Sequence, residues 1–272
     1  MSLPLSTPLP AGLDALVDRV AERQRADFGH MVSDVKADGS LITACDRWSD
    51  ATLVSGLGEL YPEDGVLSEE GRQLVPSSEA YWVVDPLDGT TNFSAGIPYW
   101  AISLARFRQG VPVLAILDVP PLRQRIVAIR GQGAWRNGKP LAPPALQAHQ
   151  VGCASLCSRS IGVLQKLPDR RFPGKIRLLG VASLNLVSVA MGQTIAALEA
   201  TPKIWDLAAA WLVLEELHCP LRWLERSPAD LQPGRDLSRT DFPVLVADRQ
   251  ETLTRFLPWG EALKEGCGAQ RG

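Results

Sequence analysis

The chain has 272 residues, 46% hydrophobic and 21% charged, which is enough for one large core or two packed subdomains. A formal net charge of −2 excludes the basic field that recruits nucleic acid or anionic membrane. No window approaches the roughly 18–20 unbroken apolar residues of a membrane span. The stretch Met1–Leu13 lacks the positive-then-apolar order of a secretory signal, so a cytoplasmic protein is expected. Cys45, Cys153, Cys157, Cys219 and Cys267 are scattered and odd in number, which suits reduced thiols. Cys153 and Cys157 could fall one helical turn apart, but no second Cys or His pair completes a zinc set. His30, His149 and His218 accompany no metal or nucleophile motif.

In chain order, the apolar spacing of Leu13, Leu16, Val17 and Val20 predicts a helix from about Gly12 to Phe28. A turn around Asp38-Gly39-Ser40 follows. A second helix is expected from near Asp46, with Leu53, Leu57 and Leu60 on one face and Pro62 beyond its end. Strands are expected at Val66–Glu69 and Tyr81–Asp85. An antiparallel meander then runs through Tyr99–Phe107, Val111–Val119 and Gln124–Ile129, with Asn137-Gly138 as a tight hairpin turn. The Pro, Ala and Gln content of Pro140–Gln150 marks a subdomain junction, dividing the chain into residues 1–142 and 143–272. Beyond it, helices are expected at Ser183–Met191, Trp205–Leu217 and Glu251–Leu257, with strands at Thr194–Glu199 and Val244–Ala247. The fold class is therefore α+β, with an α/β second half.

The chemistry concentrates at element ends. The run Trp82-Val83-Val84 breaks at Pro86 and Gly89, so Asp85 and Asp88 project from one strand end with Thr90 and Thr91 close behind. Two anions held that close repel unless they share a proton or a cation, and hard oxygen donors suit Mg²⁺ or Mn²⁺. Glu69-Glu70 closes the preceding strand, and Asp206 opens the helix after Trp205, where the helix dipole favours an acid. Gly131-Gln132-Gly133 reads as a turn before the hairpin rather than a dinucleotide loop.

Taken together, Glu69-Glu70, Asp85-Pro86-Leu87-Asp88-Gly89-Thr90-Thr91-Asn92 and Trp205-Asp206-Leu207-Ala208-Ala209 resemble the motifs of the inositol monophosphatase family. This family lies within the fructose-1,6-bisphosphatase-like, Mg²⁺-dependent, lithium-sensitive phosphatases. The resemblance runs from about Leu13 to Leu257 with the motifs in order and in register. It implies a layered αβαβα fold with the active site between the two halves. Glu70, Asp85 and the Leu87 carbonyl would hold one Mg²⁺; Asp85, Asp88 and Asp206 would hold a second. A third, weaker ion would lie near Glu70, and Mn²⁺ would substitute in this set. The Gly89 and Thr90 N–H groups would cradle phosphate, and Thr90 would help Glu70 deprotonate the attacking water. Lys36 would balance the anionic cluster, while Asp46 is read as the cap of the second helix.

On the alcohol side, Glu199, seven residues before Asp206, matches the family glutamate that binds inositol hydroxyls. Ala182 lies in the Gly180–Ser183 stretch that lines the same pocket, and Asp206 also faces it. The implied reaction is Mg²⁺-dependent hydrolysis of a small phosphate monoester by activated water, with inositol-1-phosphate the expected substrate. The alternatives are histidinol phosphate, a sugar phosphate or a nucleotide 3′-phosphate, and, from another class, a regulatory protein that binds metal without turnover. Thr91-Asn92-Phe93 favours the inositol branch. Ser94–Ile97, Leu217–Pro220 and Arg226–Asp241 depart from the family pattern around the pocket rim. A homodimer is expected by the same resemblance.

Overall fold

The computed structural model describes residues 9–30, 33–36, 39, 41–144 and 152–267. Helix α1 (Ala11–Asp27) buries Leu13, Val17 and Val20 on one stripe. Strands β1 (Ser33–Val35) and β2 (Leu41–Thr43) pair antiparallel. Helix α2 (Ala44–Leu60) begins at a capping box. The Thr43 hydroxyl accepts from the Cys45 and Asp46 N–H groups, and the Asp46 carboxylate accepts from the Thr43 N–H.

A seven-stranded sheet follows. It contains β3 (Gly65–Ser68), β4 (Ala80–Asp88), then, after the short helix α3 (Thr90–Ser94), β5 (Ala101–Arg108), β6 (Val111–Val119), β7 (Gln124–Ile129), β8 (Gly133–Arg136) and β9 (Lys139–Pro140). All neighbours are antiparallel except β3 and β4, so the expected meander starts at β4. Between β8 and β9, Asn137 and Gly138 have φ of 50° and 74°, the paired positive values of a type I′ turn.

The second sheet has the order β11-β10-β12-β14-β13, with β10 (Cys153–Leu156), β11 (Lys175–Arg177), β12 (Ala196–Glu199), β13 (Leu221–Trp223) and β14 (Val244–Ala247). The helices of this half are α4 (Val163–Lys166), α5 (Ala182–Ala190), α6 (Ile204–Glu216) and α7 (Gln250–Cys267).

Alternation along the strands sets the layers. Trp82, Val84, Ile102 and Leu104 pack on α1 and α2, whereas Val83, Ala105 and Leu117 pack on α5 and α6. The other face of α5 and α6 meets Ala197, Val244 and Val246 of the second sheet. Ala196, Leu198 and Leu245 then face Phe256, Trp259 and Leu263 of α7. The order is α, β, α, β, α, as the resemblance implied. Its central helices have apolar residues on every side, which is why Leu184–Ala190 and Leu207–Leu214 read as nearly continuous apolar runs.

Several expectations change. The strand expected at Tyr81–Asp85 continues to Asp88, because a bulge absorbs Pro86. The last helix runs past Pro258, since Trp259, Ala262 and Leu263 bury against the sheet and hold the following turns. Cys153 opens β10 and Cys157 follows it, so the two are not on one helix. The short strands β10, β11 and β13 carried no clear alternation. His149 and most of the Asp38–Ser40 and Pro140–Gln150 stretches lie outside the described residues. Among the described residues no helix is long and apolar enough to cross a membrane.

Arg125 fastens α1 to the first sheet. Its guanidinium donates to Asp118 (2.8 Å), Asp18 (2.8 Å) and Asp14. Burial pushes the Asp118 carboxyl up to about 6, against the pull of Arg125. Its folded pKa thus exceeds the unfolded value, so its share of stability is intact at low pH and lost as pH rises through about 6. Arg125→Met strands this buried anion, and urea denaturation at pH 7.5 should show a loss of about 3 kcal/mol. At pH 5, where Asp118 can take up a proton, the loss should be smaller.

Candidate active site

The parallel pairing of β3 and β4 sets the first part of the site. Leu67 faces Val83 and Ser68 faces Val84, so the next residues, Glu69 and Asp85, share one face. The Glu69 N–H donates to the Val84 carbonyl at 3.1 Å and holds this alignment beyond the strand end. On the neighbouring strand, Asp85 lies opposite Ser103, whose hydroxyl donates to the Trp205 carbonyl at 3.1 Å. That bond seats the start of α6 on β5 and brings Asp206 beside Asp85. Carboxylate oxygens of Glu69, Asp85 and Asp206 consequently lie within 4.8 Å of one another.

The expected ligand Glu70 is not in this trio. Lys36 Nζ meets it at 2.5 Å and Glu69 at 3.0 Å. Two adjacent glutamates are indistinguishable in the sequence, and only the register with β4 separates them.

Asp88 completes the carboxylates from the far side of the bulge. Its Oδ2 accepts the Ser183 N–H at 2.7 Å, so this strand-end carboxylate caps α5. Gly89, at φ 104°, occupies a left-handed conformation and starts α3; a Cβ there would come 2.8 Å from Val181 Cγ2. Ala182, next to Ser183 at the start of α5, therefore lies close to both Asp88 and Gly89. Asn92 donates to the Tyr99 carbonyl at 2.9 Å and the Leu179 carbonyl at 2.8 Å, fixing the segment before α5 against α3.

Thr90 is not bonded to Glu70. Its hydroxyl lies 2.7 Å from Asp46 Oδ1 and 3.1 Å from the Leu87 carbonyl. Asp46 therefore serves twice, as the helix cap expected of it and as the carboxylate partner of Thr90. The sequence points only to the first role, because the Asp46–Thr90 contact spans 44 residues.

The electrostatics are those of concentrated negative charge. Burial, then Glu69, Asp88 and Asp206, drive the Asp85 carboxyl well above the usual range. Asp206 is raised by burial, then by Asp88 and Glu69. Asp88 reaches about 6 through burial, opposed by the Ser183 and Ala182 N–H groups. Glu70 reaches about 7 through burial and Glu69, opposed by Lys36. Burial pulls Lys36 down, but Glu69 and Glu70 outweigh it and raise it. A lone ammonium from Lys36 cannot neutralise five carboxylates, and the donors are all hard oxygens, so divalent Mg²⁺ or Mn²⁺ fits this set. Glu199 ends β12, fully buried, accepts from Asn185 Nδ2 at 2.8 Å, and is raised to about 8 by burial and by the charge of Asp88.

Residues 13–243 match the model of the inositol monophosphatase family. The histidinol-phosphatase of Mycobacterium tuberculosis is 34% identical over 74% of this chain and 82% of its own length. The inositol-1-monophosphatase of Rhizobium meliloti is 34% identical over 70% of this chain and 76% of its own. A crystal structure of an IMPase/NADP phosphatase with Mg²⁺ and phosphate superimposes with a TM-score of 0.74 at 25% identity, over 90% of this chain and 93% of that one.

The repulsion has a measurable sign. Raised folded pKa values mean that stability is held at low pH and lost as pH rises. Chelator-treated protein should therefore melt at progressively lower temperature from pH 5 to pH 8, and MgCl₂ should flatten that slope. Under chelation at pH 8, Asp206→Asn should melt higher than the parent protein, because the amide oxygen still accepts from the Lys203 N–H while the charge is gone. Differential scanning calorimetry reads both effects.

Proposed function

Since the chain belongs to the inositol monophosphatase family, we propose that it is a Mg²⁺-dependent phosphomonoesterase whose substrate is a small polyol phosphate, inositol-1-phosphate first among them. The observation that carries this reading is the convergence of Glu69, Asp85 and Asp206 beside Asp88 and the Thr90–Asp46 pair. Glu69, Asp85 and the Leu87 carbonyl would hold one ion, and Asp85, Asp88 and Asp206 a second. Glu69 takes the place first expected of Glu70, whose carboxylate is committed to Lys36. A third ion would lie toward Glu70. Such ions, when bound, acidify water and stabilise the leaving alkoxide.

The protein's own groups then do the following. Asp46 is fixed by the Thr43 N–H at 2.8 Å and accepts the Thr90 proton. This leaves a lone pair on Thr90 Oγ1 to receive a proton from the attacking water, making Thr90 and Asp46 a relay for general-base catalysis. The Gly89 and Thr90 N–H groups, at the turn into α3, orient the phosphate oxygens. Lys36 holds Glu69 and Glu70 in place and offsets their charge. Ala182 and Glu199 belong to the alcohol side, with Glu199 accepting a substrate hydroxyl.

A second reading is histidinol phosphate, favoured by the likeness to the Mycobacterium tuberculosis enzyme and by the capacity of Glu199 to pair with an ammonium group. A Mg²⁺-supplemented panel of inositol-1-phosphate, histidinol phosphate, fructose 1,6-bisphosphate and a nucleotide 3′-phosphate decides between them. Inositol-1-phosphate should give the highest kcat/KM; higher values for histidinol phosphate would replace the first reading with the second. No turnover on any ester would leave a non-catalytic, metal-binding role. Asp88→Asn should abolish Mg²⁺-dependent turnover, and near-normal rates would defeat the assignment. Thr90→Ala should lower kcat by roughly 10²–10⁴-fold. Glu199→Gln should raise KM for the polyol ester by about tenfold with kcat little changed.

A homodimer completes the proposal. Exposed Ile97, Leu122, Leu178 and Leu179 lie around Tyr99, and Asn92 ties Tyr99 to Leu179. Apolar patches of this kind favour a partner surface. Light scattering on the eluted protein should give twice the chain mass, and Leu122→Glu should halve it.

A further inference from the structure

The bulge of β4 leaves a backbone problem that α1 solves. Asp85 faces Ser103 and Asp88 faces Ala101, so three residue steps on β4 span two on β5. The polar groups of Pro86 and Leu87 therefore fall out of the ladder while remaining buried. Leu87 is supplied locally: its N–H donates to Asp85 Oδ1 at 3.0 Å, and its carbonyl lies 3.1 Å from Thr90 Oγ1, the hydroxyl whose proton Asp46 takes at 2.7 Å. Pro86 has no N–H, and its carbonyl accepts from Gln24 Nε2 at 2.7 Å, across 62 residues of sequence.

Gln24 is wholly buried in the layer beneath the sheet. Its amide nitrogen also donates to Ser49 Oγ at 3.2 Å, and its oxygen accepts from Trp100 Nε1 at 3.0 Å. Trp100 is in turn wedged between Phe28 and Phe93, with ring centroids 4.6 and 5.0 Å away. The amide thus has a fixed position and a fixed orientation. A buried polar side chain on an otherwise apolar helix face carries a desolvation cost, and the shortest of the bonds that offset it here is the one to the turn that bears Asp85 and Asp88.

We propose that Gln24 is a positioning residue for the cation-binding turn. It grips the Pro86 carbonyl and thereby sets the peptide planes that aim the Asp85 carboxylate and the Leu87 carbonyl at one point. The inference rests on the reading of those two groups as cation ligands. Without the grip, the Pro86 carbonyl must find another donor by rotating its peptide, and both flanking oxygens rotate with it.

The test is direct Mn²⁺ binding to the full chain, without substrate, followed by electron paramagnetic resonance of the free ion. Gln24→Met removes the amide at similar length. Gln24→Leu likewise offers no donor to Pro86, and decides the matter if the methionine variant does not fold. Both should weaken Mn²⁺ by about tenfold or more, the effect expected of a group that orients a metal ligand. Trp100→Phe loses the indole N–H but spares the Gln24–Pro86 bond. It should lower the melting temperature while leaving Mn²⁺ affinity within about twofold. A folded Gln24→Leu protein with unchanged Mn²⁺ affinity overturns the proposal, as does Trp100→Phe weakening Mn²⁺ as much as Gln24→Met. Failure of the parent chain to bind Mn²⁺ would overturn the phosphatase reading as well; normal parent binding with unchanged variants overturns this one alone.

Discussion

Mutual repulsion among Glu69, Asp85, Asp88 and Asp206 is the constraint around which this protein is organised. A buried carboxylate resists ionisation, and several of them together resist it more, so the fold must hold in place groups that would otherwise separate. It does so by drawing them from three separate elements. Glu69 follows β3, Asp85 and Asp88 flank the bulge of β4, and Asp206 lies in the first turn of α6. No single element can relax the cluster without breaking its own pairing.

Several hydrogen bonds at the site connect layers. Ser103 seats α6 on the first sheet, Asp88 caps α5, and Asn92 ties α3 to the segment before α5. From the other side, α1 reaches Pro86 through Gln24, and α2 reaches Thr90 through Asp46. The same bonds that close the backbone accounts of a bulge and two helix starts therefore aim the reactive groups. Stability and chemistry share the same contacts, which is a physical reason for a site at the meeting of several element ends.

The proposed alcohol side is built differently. Glu199 ends a strand of the second sheet and is held by Asn185 of α5. This carboxylate belongs to the second sheet, whereas most of the groups proposed to hold cations belong to the first. Phosphate chemistry and choice of alcohol can thus vary separately, in keeping with relatives that share the family but carry the names of different phosphatases.

Much of this was legible in the sequence. Helical spacing of Leu13, Leu16, Val17 and Val20, the Asn137-Gly138 turn, and the break at Asp85-Pro86-Leu87-Asp88 are local signals, and local sterics and burial decide them. The five layers followed from the resemblance, and the bland apolar runs of α5 and α6 were consistent with helices covered on both faces. Long-range register decided the rest. Whether Glu69 or Glu70 turns toward Asp85 depends on the parallel alignment of β3 with β4. The partner of Thr90 is Asp46, and the donor for Pro86 is Gln24, through contacts across 44 and 62 residues. The sequence by itself determined which chemical groups are present and which elements carry them. Only the tertiary structure decided which of them face one another, because that depends on strand pairing and helix packing between segments whose spacing along the chain holds no record of it.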